Sequence, residues 1–291
     1  MNRQLYLECY SGISGDMTVA ALLDLGADEQ ILRKALASLP VGGFEIAVTR
    51  KVKSGLDVCD FDVILDAEHE NHDHDMEYLH GHDHQHTHDH EHVHEDGSVH
   101  THEHHHHDHS HEHHHDHGHH HEHRGLHEIL HIIEHADMTE RAKKTAVRIF
   151  QILAEAESKA HGVPADQVHF HEVGAVDSIV DILAVAVCLD NLDITEVIVP
   201  FLCEGQGSIR CQHGIIPVPV PAVVNIAQAH GLTLKPTGVQ GELVTPTGAA
   251  IVAAVRTSDK LPQTYRIVKI GMGAGKREYE CVGVLRAMMI A

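Results

Sequence analysis

Five residues with metal-ligand chemistry crowd one short stretch: His169, His171, Glu172, Asp177 and Asp181. In an extended segment His169 and His171 point to one face, as neighbouring ligands of one ion would. Glu172 then faces the other side unless the chain turns. Asp177 and Asp181 are four apart on the helix that the apolar run Ala175–Asp190 predicts, so they share a face. Such a carboxylate pair is costly to bury without a cation. The same residues have structural uses: Asp177 can cap the helix, and the histidines can be hydrogen-bonded core residues.

Four other segments could carry chemistry. Ser11-Gly-Ile-Ser-Gly-Asp-Met17 follows a strand and opens a helix. Its free N–H groups suit an anion, Ser11 and Ser14 add hydroxyls, and Asp16 could hold a metal; a capped strand-to-helix turn explains it equally. Arg210, Cys211 and His213 meet at a strand end before Ile-Ile-Pro-Val-Pro-Val-Pro221. Cys and His ligate metals and Arg clamps phosphate or carboxylate, yet such a pair is also a common structural one. Thr245 and Thr247 flank Pro246 before a helix and could bind phosphate or cap that helix. Gly271-Met-Gly-Ala-Gly275-Lys276-Arg277 could cradle phosphate, or be a plain glycine-rich turn between strands.

Between these motifs lies a tract of another kind. Of the chain's 35 histidines, 27 fall between His69 and His123, interleaved with 15 acidic residues from Glu68 to Glu122 and no Lys or Arg. The tract has almost nothing apolar to bury and cannot offset the entropy of folding alone. Its imidazoles and carboxylates suit a transition metal, with affinity rising towards Ni and Cu. The tract also carries most of the net charge of −22; outside it 28 acids oppose 21 bases, a net of −7. No basic patch exists to displace counterions, which argues against nucleic acid. No uninterrupted apolar run of membrane length occurs, and the N-terminus lacks a signal-peptide core. The six cysteines form no Cys-x-x-Cys pair, as expected of a cytoplasmic protein with reduced thiols.

Strand-like and helix-like segments alternate, which predicts an α/β fold. Strands are expected at 5–10, 44–53, 56–66, 166–170, 196–200, 207–211, 265–271 and 282–289. Helices are expected at 16–25, 28–38, 126–135, 139–161, 175–190, 219–230 and 247–256. Mixed sheets with helices would then be interrupted by a long disordered His/Asp/Glu-rich insert at 69–123. The flanking parts, 1–68 and 124–291, would stand as two parts or pack as one domain.

Taken in order, the segments 10–17 (YSGISGDM), 169–182 (HFHEVGAVDSIVDI), 211–222 (CQHGIIPVPVPA), 242–250 (ELVTPTGAA) and 271–286 (GMGAGKRE…GVLR) resemble the LarC family. These are the nickel-insertion proteins for the lactate racemase cofactor, and the likeness covers essentially all of the chain outside 69–123. The resemblance implies a CTP-dependent nickel chelatase, or cyclometallase, of the lyase class. It would insert Ni2+ into pyridinium-3,5-bisthiocarboxylic acid mononucleotide, forming a nickel–carbon bond and two nickel–sulfur bonds. CTP would be hydrolysed to CMP and diphosphate with Mn2+ or Mg2+. Lactate racemase apoenzyme would receive the product. His169, His171, Glu172, Asp177 and Asp181 would hold the ion, with Glu172 also at the reacting centre. Asp16 or His213 would take the ring proton. Ser11, Ser14, Arg210, Thr245 and Thr247 would hold the substrate phosphate. Family members run on by about another domain after the GVLR segment, the part associated with CTP. This chain would then be a truncated piece, a frameshift product, or one half of a split protein completed by a separate C-terminal-domain chain; a homo-oligomer is also expected. Two other classes fit the residues: a nickel storage protein or metallochaperone without chemistry, and a metal-dependent phosphate-ester hydrolase.

Overall fold

The computed structural model describes residues 3–66, 124–168, 170, 175–211 and 214–291, and the backbone of 92–93 and 99–100. The chain divides into two compact units, Met1–His74 with Glu122–Ala291, and Asp75–His121. In the second unit, β4 (His92–Val93) pairs antiparallel with β5 (Val99–His100). The other residues of the insert expected at 69–123 lie outside the described ones.

The larger unit is α/β, built on one mixed six-stranded sheet. The run Leu5-Tyr-Leu is apolar without alternation, the pattern of a strand covered on both faces. It forms β1 (Gln4–Glu8), with all three of those residues buried. β1 lies between β12 (Val284–Ile290, antiparallel) and β6 (Glu196–Ile198, parallel). Beyond β12 come β11 (Ile267–Ala274), then β3 (Leu56–Leu65) and β2 (Phe44–Lys53), giving the order β2-β3-β11-β12-β1-β6. β2 and β3 form the hairpin that the alternation predicts, turning through Ser54 and Gly55.

The helices begin with α1 (Gly15–Asp24) and α2 (Glu29–Ala37), the latter capped by the Asp28 carboxylate. α3 (Leu126–His135) and α4 (Glu140–His161) follow the insert. Thr139 caps α4 by accepting from the Ala142 N–H, and Gly162 ends it in the left-handed conformation at φ 69°. α5 (Val176–Asn191), apolar almost all round, is deeply buried between α1 and α4. α6 (Pro221–His230) and α7 (Pro246–Val255) complete the layer, each with proline at its first position. Among the described residues no helix is long and apolar enough to cross a membrane.

One core joins Leu5, Leu7 and Phe61 of the sheet to Val19, Leu22, Ile149, Phe150, Ile179 and Leu183 of the helices. A smaller cluster of Tyr6, Ile198, Met288 and Ile290 closes the other face of the sheet.

Local expectations are corrected at three places. Residues Ala165–Gln167 form a 3-10 turn where an extended segment was predicted at 166–170. β7 (Leu202–Gln206), β9 (Gly214–Pro217) and β10 (Leu234–Gln240) are further strands. β10 reads Leu-Lys-Pro-Thr-Gly-Val-Gln, whose proline and glycine weigh against a strand; its pairing with β7 holds it. β9 folds back on β8 (Ser208–Cys211) as a separate hairpin.

The last correction concerns Gly271–Gly275. Up to Ala274 this is strand β11 rather than a turn, and its glycines admit a helix rather than a phosphate. A Cβ on Gly273 would lie 2.0 Å from the Met17 carbonyl oxygen of α1, and one on Gly271 would lie 2.2 Å from that of Ala21. Gly273→Ala must therefore lift α1 from the sheet, at a cost of about 3 kcal/mol. In thermal denaturation this should lower Tm by roughly 6–12 °C. Gly42→Ala, where an added Cβ meets nothing, should leave Tm unchanged.

Candidate metal and substrate site

The chain leaves β1 at Glu8 and turns, the Gly12 N–H donating to the Cys9 carbonyl (3.3 Å). Ile13 then bridges Val244: its N–H donates to the Leu243 carbonyl (2.9 Å), and the Thr245 N–H donates to its carbonyl (3.1 Å). Two motifs more than 200 residues apart are thus sewn together by backbone bonds.

Ser14 stands at the N-cap of α1, but its hydroxyl makes no cap bond and donates instead to Asp16 Oδ1. The freed helix N-terminus is served from another helix. The carboxylate of Asp181, on α5, accepts the Asp16 backbone N–H. A carboxylate at a helix N-terminus is favoured by the unpaired N–H groups and the dipole. Gly15 makes room for it, since a Cβ there would lie 2.6 Å from Asp181 Oδ2.

The charges at this junction do not balance internally. Burial pushes the Asp181 carboxyl well above the usual carboxylate range, and the neighbouring Asp16 and Asp177 push it further; Lys276 and the Asp16 N–H oppose them. Burial likewise raises Asp16, against the Ser14 hydroxyl, the Lys276 charge and the Met17 N–H, while Asp60 adds repulsion. Asp181 Oδ1 is buried without a hydrogen-bond partner. The nearby cation, Lys276, is held elsewhere, with its Nζ 2.8 Å from Asp62 and 3.7 Å from Asp60. Asp60 also takes Lys51 at 2.8 Å. Carboxylates so placed hold a proton more tightly than free ones and give it up more readily when a cation binds.

Of the residues singled out in the sequence, Ser14, Asp16, Asp177 and Asp181 therefore come together. Asp177 sits two residues past the Ala175 cap position and does not cap α5. Ser11 is half-buried in the turn ahead of α1. Thr245 caps α7, its Oγ1 accepting the Gly248 N–H at 3.0 Å. Thr247 is buried in the first turn of the same helix. Arg210 is exposed on β8, in the β8–β9 hairpin. His169, His171, Glu172 and His213 lie outside the described residues. Phe170, between the two histidines, is buried edge-on against Phe150 with ring centres 6.4 Å apart. Among the described residues no three His, Cys, Asp or Glu form a ready metal-ligand set.

Three residues escaped the sequence reading of the site: Asp60, Lys276 as a partner of its carboxylates, and Glu204. Glu204 is a peg: its Oε1 accepts from Gly205 (2.8 Å), Leu243 (2.9 Å) and Val244 (3.1 Å). Arg277 adds a second lock, donating to Glu242 Oε2 at 2.8 Å while the Tyr279 hydroxyl donates to the Glu242 carbonyl at 3.0 Å. The available signal was a lone charge between Cys203 and Gly205 in an otherwise apolar strand start.

Glu204 has a testable consequence. Burial raises its carboxyl, against the three N–H donors, and Oε2 has no hydrogen-bond partner. The folded state then keeps a proton that the unfolded chain has lost, so stability falls as pH rises from the ordinary carboxylate value through the folded one. Urea midpoints of the protein should decline with pH more steeply than those of Glu204→Gln; parallel curves would contradict the assignment. Glu204→Ala, which strands three buried N–H groups, should cost about 3 kcal/mol or more at any pH.

The chain matches the family model described as nickel insertion protein over residues 5–291. It is 50% identical over 290 residues to the pyridinium-3,5-bisthiocarboxylic acid mononucleotide nickel insertion protein of Alkaliphilus metalliredigens, covering 100% of this chain and 61% of that one. The namesake from Acetivibrio thermocellus is 36% identical over 287 residues, covering 99% and 60%. A putative nickel insertion protein of Dictyoglomus thermophilum is 34% identical over 284 residues, covering 98% and 60%. The chain thus spans about three fifths of the length of these relatives. No solved structure matches it. The matched span takes in the junction of α1 with α5 and the segments that lock it, and the chain belongs to the nickel insertion protein family.

Proposed function

We propose that this chain binds Ni2+ and inserts it into pyridinium-3,5-bisthiocarboxylic acid mononucleotide, building a nickel-pincer cofactor. Family membership supplies the reaction class, and one observation carries the site: the buried Asp181 carboxylate, crowded by Asp16 and Asp177 where α5 meets the start of α1. Asp177 and Asp181, with His169, His171 and Glu172, hold the ion. Imidazole and carboxylate together suit nickel, and the substrate's thiocarboxylate sulfurs then displace some of these ligands. As the nickel–carbon bond forms, the ring C–H bond breaks and its proton passes to Asp16 or His213. Ser11, Ser14, Arg210, Thr245 and Thr247 hold the phosphate.

Next to Ser11, Tyr10 is 54% exposed and stacked on Phe201 at 5.4 Å, 6° from parallel. Lys235 Nζ lies 4.9 Å from the Phe201 ring centre. An exposed aromatic face attracts a planar pyridinium cation, and a lysine beside it suits the substrate's anionic groups. CTP hydrolysis, with Mn2+ or Mg2+, belongs in this reading to the part of the relatives that this chain does not span. All six cysteines are free thiols, which fits a reaction in the cytoplasm. We further assign the active form to a homo-oligomer that delivers its product to lactate racemase apoenzyme.

The test combines the chain with Ni2+, CTP, Mn2+ and the mononucleotide, with and without the remaining two fifths of the Alkaliphilus relative supplied separately. Mass spectrometry should find the nickel-containing product with the added part. Asp181→Asn should lower its yield by about tenfold or more while total bound nickel, dominated by the tract, barely changes. A yield unchanged by Asp181→Asn would overturn the site, and a chain that binds nickel and yields no product in any combination would leave storage or chaperoning as the function. Turnover of a phosphate ester without nickel would favour the hydrolase.

A further inference from the structure

We infer that His131 and His135 form a second metal site, a two-imidazole clip for a divalent transition-metal ion on the surface of α3. α3 buries Ile129, Ile132 and Ile133 and leaves His127, His131 and His135 exposed. Residues four apart on a helix are neighbours, about 6 Å along the axis. Here the rings of His131 and His135 stand face to face, with centres 4.2 Å apart and planes 31° from parallel. Two nitrogens bound to one ion would each lie about 2.0–2.1 Å from it, which the two rings, anchored one turn apart, reach by rotating about their side-chain bonds.

A second feature fixes which nitrogen ligates. His135 Nδ1 lies 2.9 Å from the His131 carbonyl oxygen. A carbonyl only accepts, so Nδ1 carries the proton and donates it, leaving the Nε2 lone pair directed away from the backbone. A backbone carbonyl holding the far nitrogen of a ligating histidine is the common way to fix its tautomer and ring angle. Imidazole pairs suit Ni, Cu and Zn. Two protein ligands leave the rest of the ion's coordination to exchangeable water, which favours passing the ion on over storing it.

The position fits transfer. α3 starts at Leu126, two residues after Arg124, which follows the histidine tract in sequence. The Arg124 carbonyl accepts the N–H of Phe170 at 3.4 Å, between His169 and His171. The helix that carries the clip thus adjoins, at its start, the proposed ligand segment. The clip stands on its own geometry, and a storage protein could use it as well as a chelatase.

The test reads single histidines in the full chain, because total nickel binding is swamped by the tract. The protein is acylated with diethyl pyrocarbonate, with and without Ni2+ in excess of its 35 histidines, and each histidine is quantified by mass spectrometry. At free nickel about ten times the site's dissociation constant, labelling of both His131 and His135 should slow by about tenfold. His161, which faces Glu157 rather than another histidine, serves as the reference. His135→Ala, benign on an exposed helix face, should restore labelling of His131. Unchanged labelling of the pair, or protection of His131 that survives His135→Ala, would overturn the inference.

Discussion

The Asp181 carboxylate beneath the first turn of α1 is the contact on which the site depends. It is one ionised or protonated group, on one buried helix, accepting from the backbone of another. The contact exists because Gly15 offers no side chain and because Ser14 turns its hydroxyl to Asp16 instead of capping the helix. It sets the approach of α1 to α5, while Gly271 and Gly273 set the approach of α1 to the sheet. A helix clamped on both sides cannot shift to relieve the crowding of Asp16, Asp177 and Asp181. The electrostatic discomfort is held in place by packing, and a cation is the simplest relief.

The clamp is reinforced by polar groups that carry no chemistry in the proposed reaction. Glu204 gathers three backbone N–H groups from two segments. Arg277 and Tyr279 fix Glu242 from a third. Lys276 is held by Asp60 and Asp62 close enough for its charge to be felt at Asp16 and Asp181. A site proposed to bind an ion and then surrender it would gain from such rigidity: the ligands stay put while the substrate competes for the metal. The histidine tract, rich in ligands and poor in apolar residues, is suited to the opposite task of collecting ions from dilute solution. The two properties could not reside in one segment, because the composition that gathers metal cannot build a core.

Much of the fold was legible because it is local. Helix ends followed from Thr139 and Gly162, each acting within a few residues of itself. The β2–β3 hairpin followed from alternation, and the buried α5 from an apolar circumference. The strands β7 and β10 were not legible, since their polar and proline-containing sequences become strands only against each other. The glycines of β11 misled for a related reason: what they admit, helix α1, lies some 250 positions earlier in the chain.

The sequence by itself determined that the chain is α/β, that a histidine-rich segment between His69 and His123 suits transition metals, and which ligand types gather at 169–181. All three are properties of composition or of short spacing. Only the tertiary structure decided that Ser14, Asp16, Asp177 and Asp181 meet, that Asp60 and Lys276 stand beside them, and that Glu204 is a peg rather than a surface charge. Whether a charged side chain is a solvated face or a buried working group depends on what covers it. Here the covering residues come from strands and helices far away in the chain, brought together by packing that no local pattern encodes.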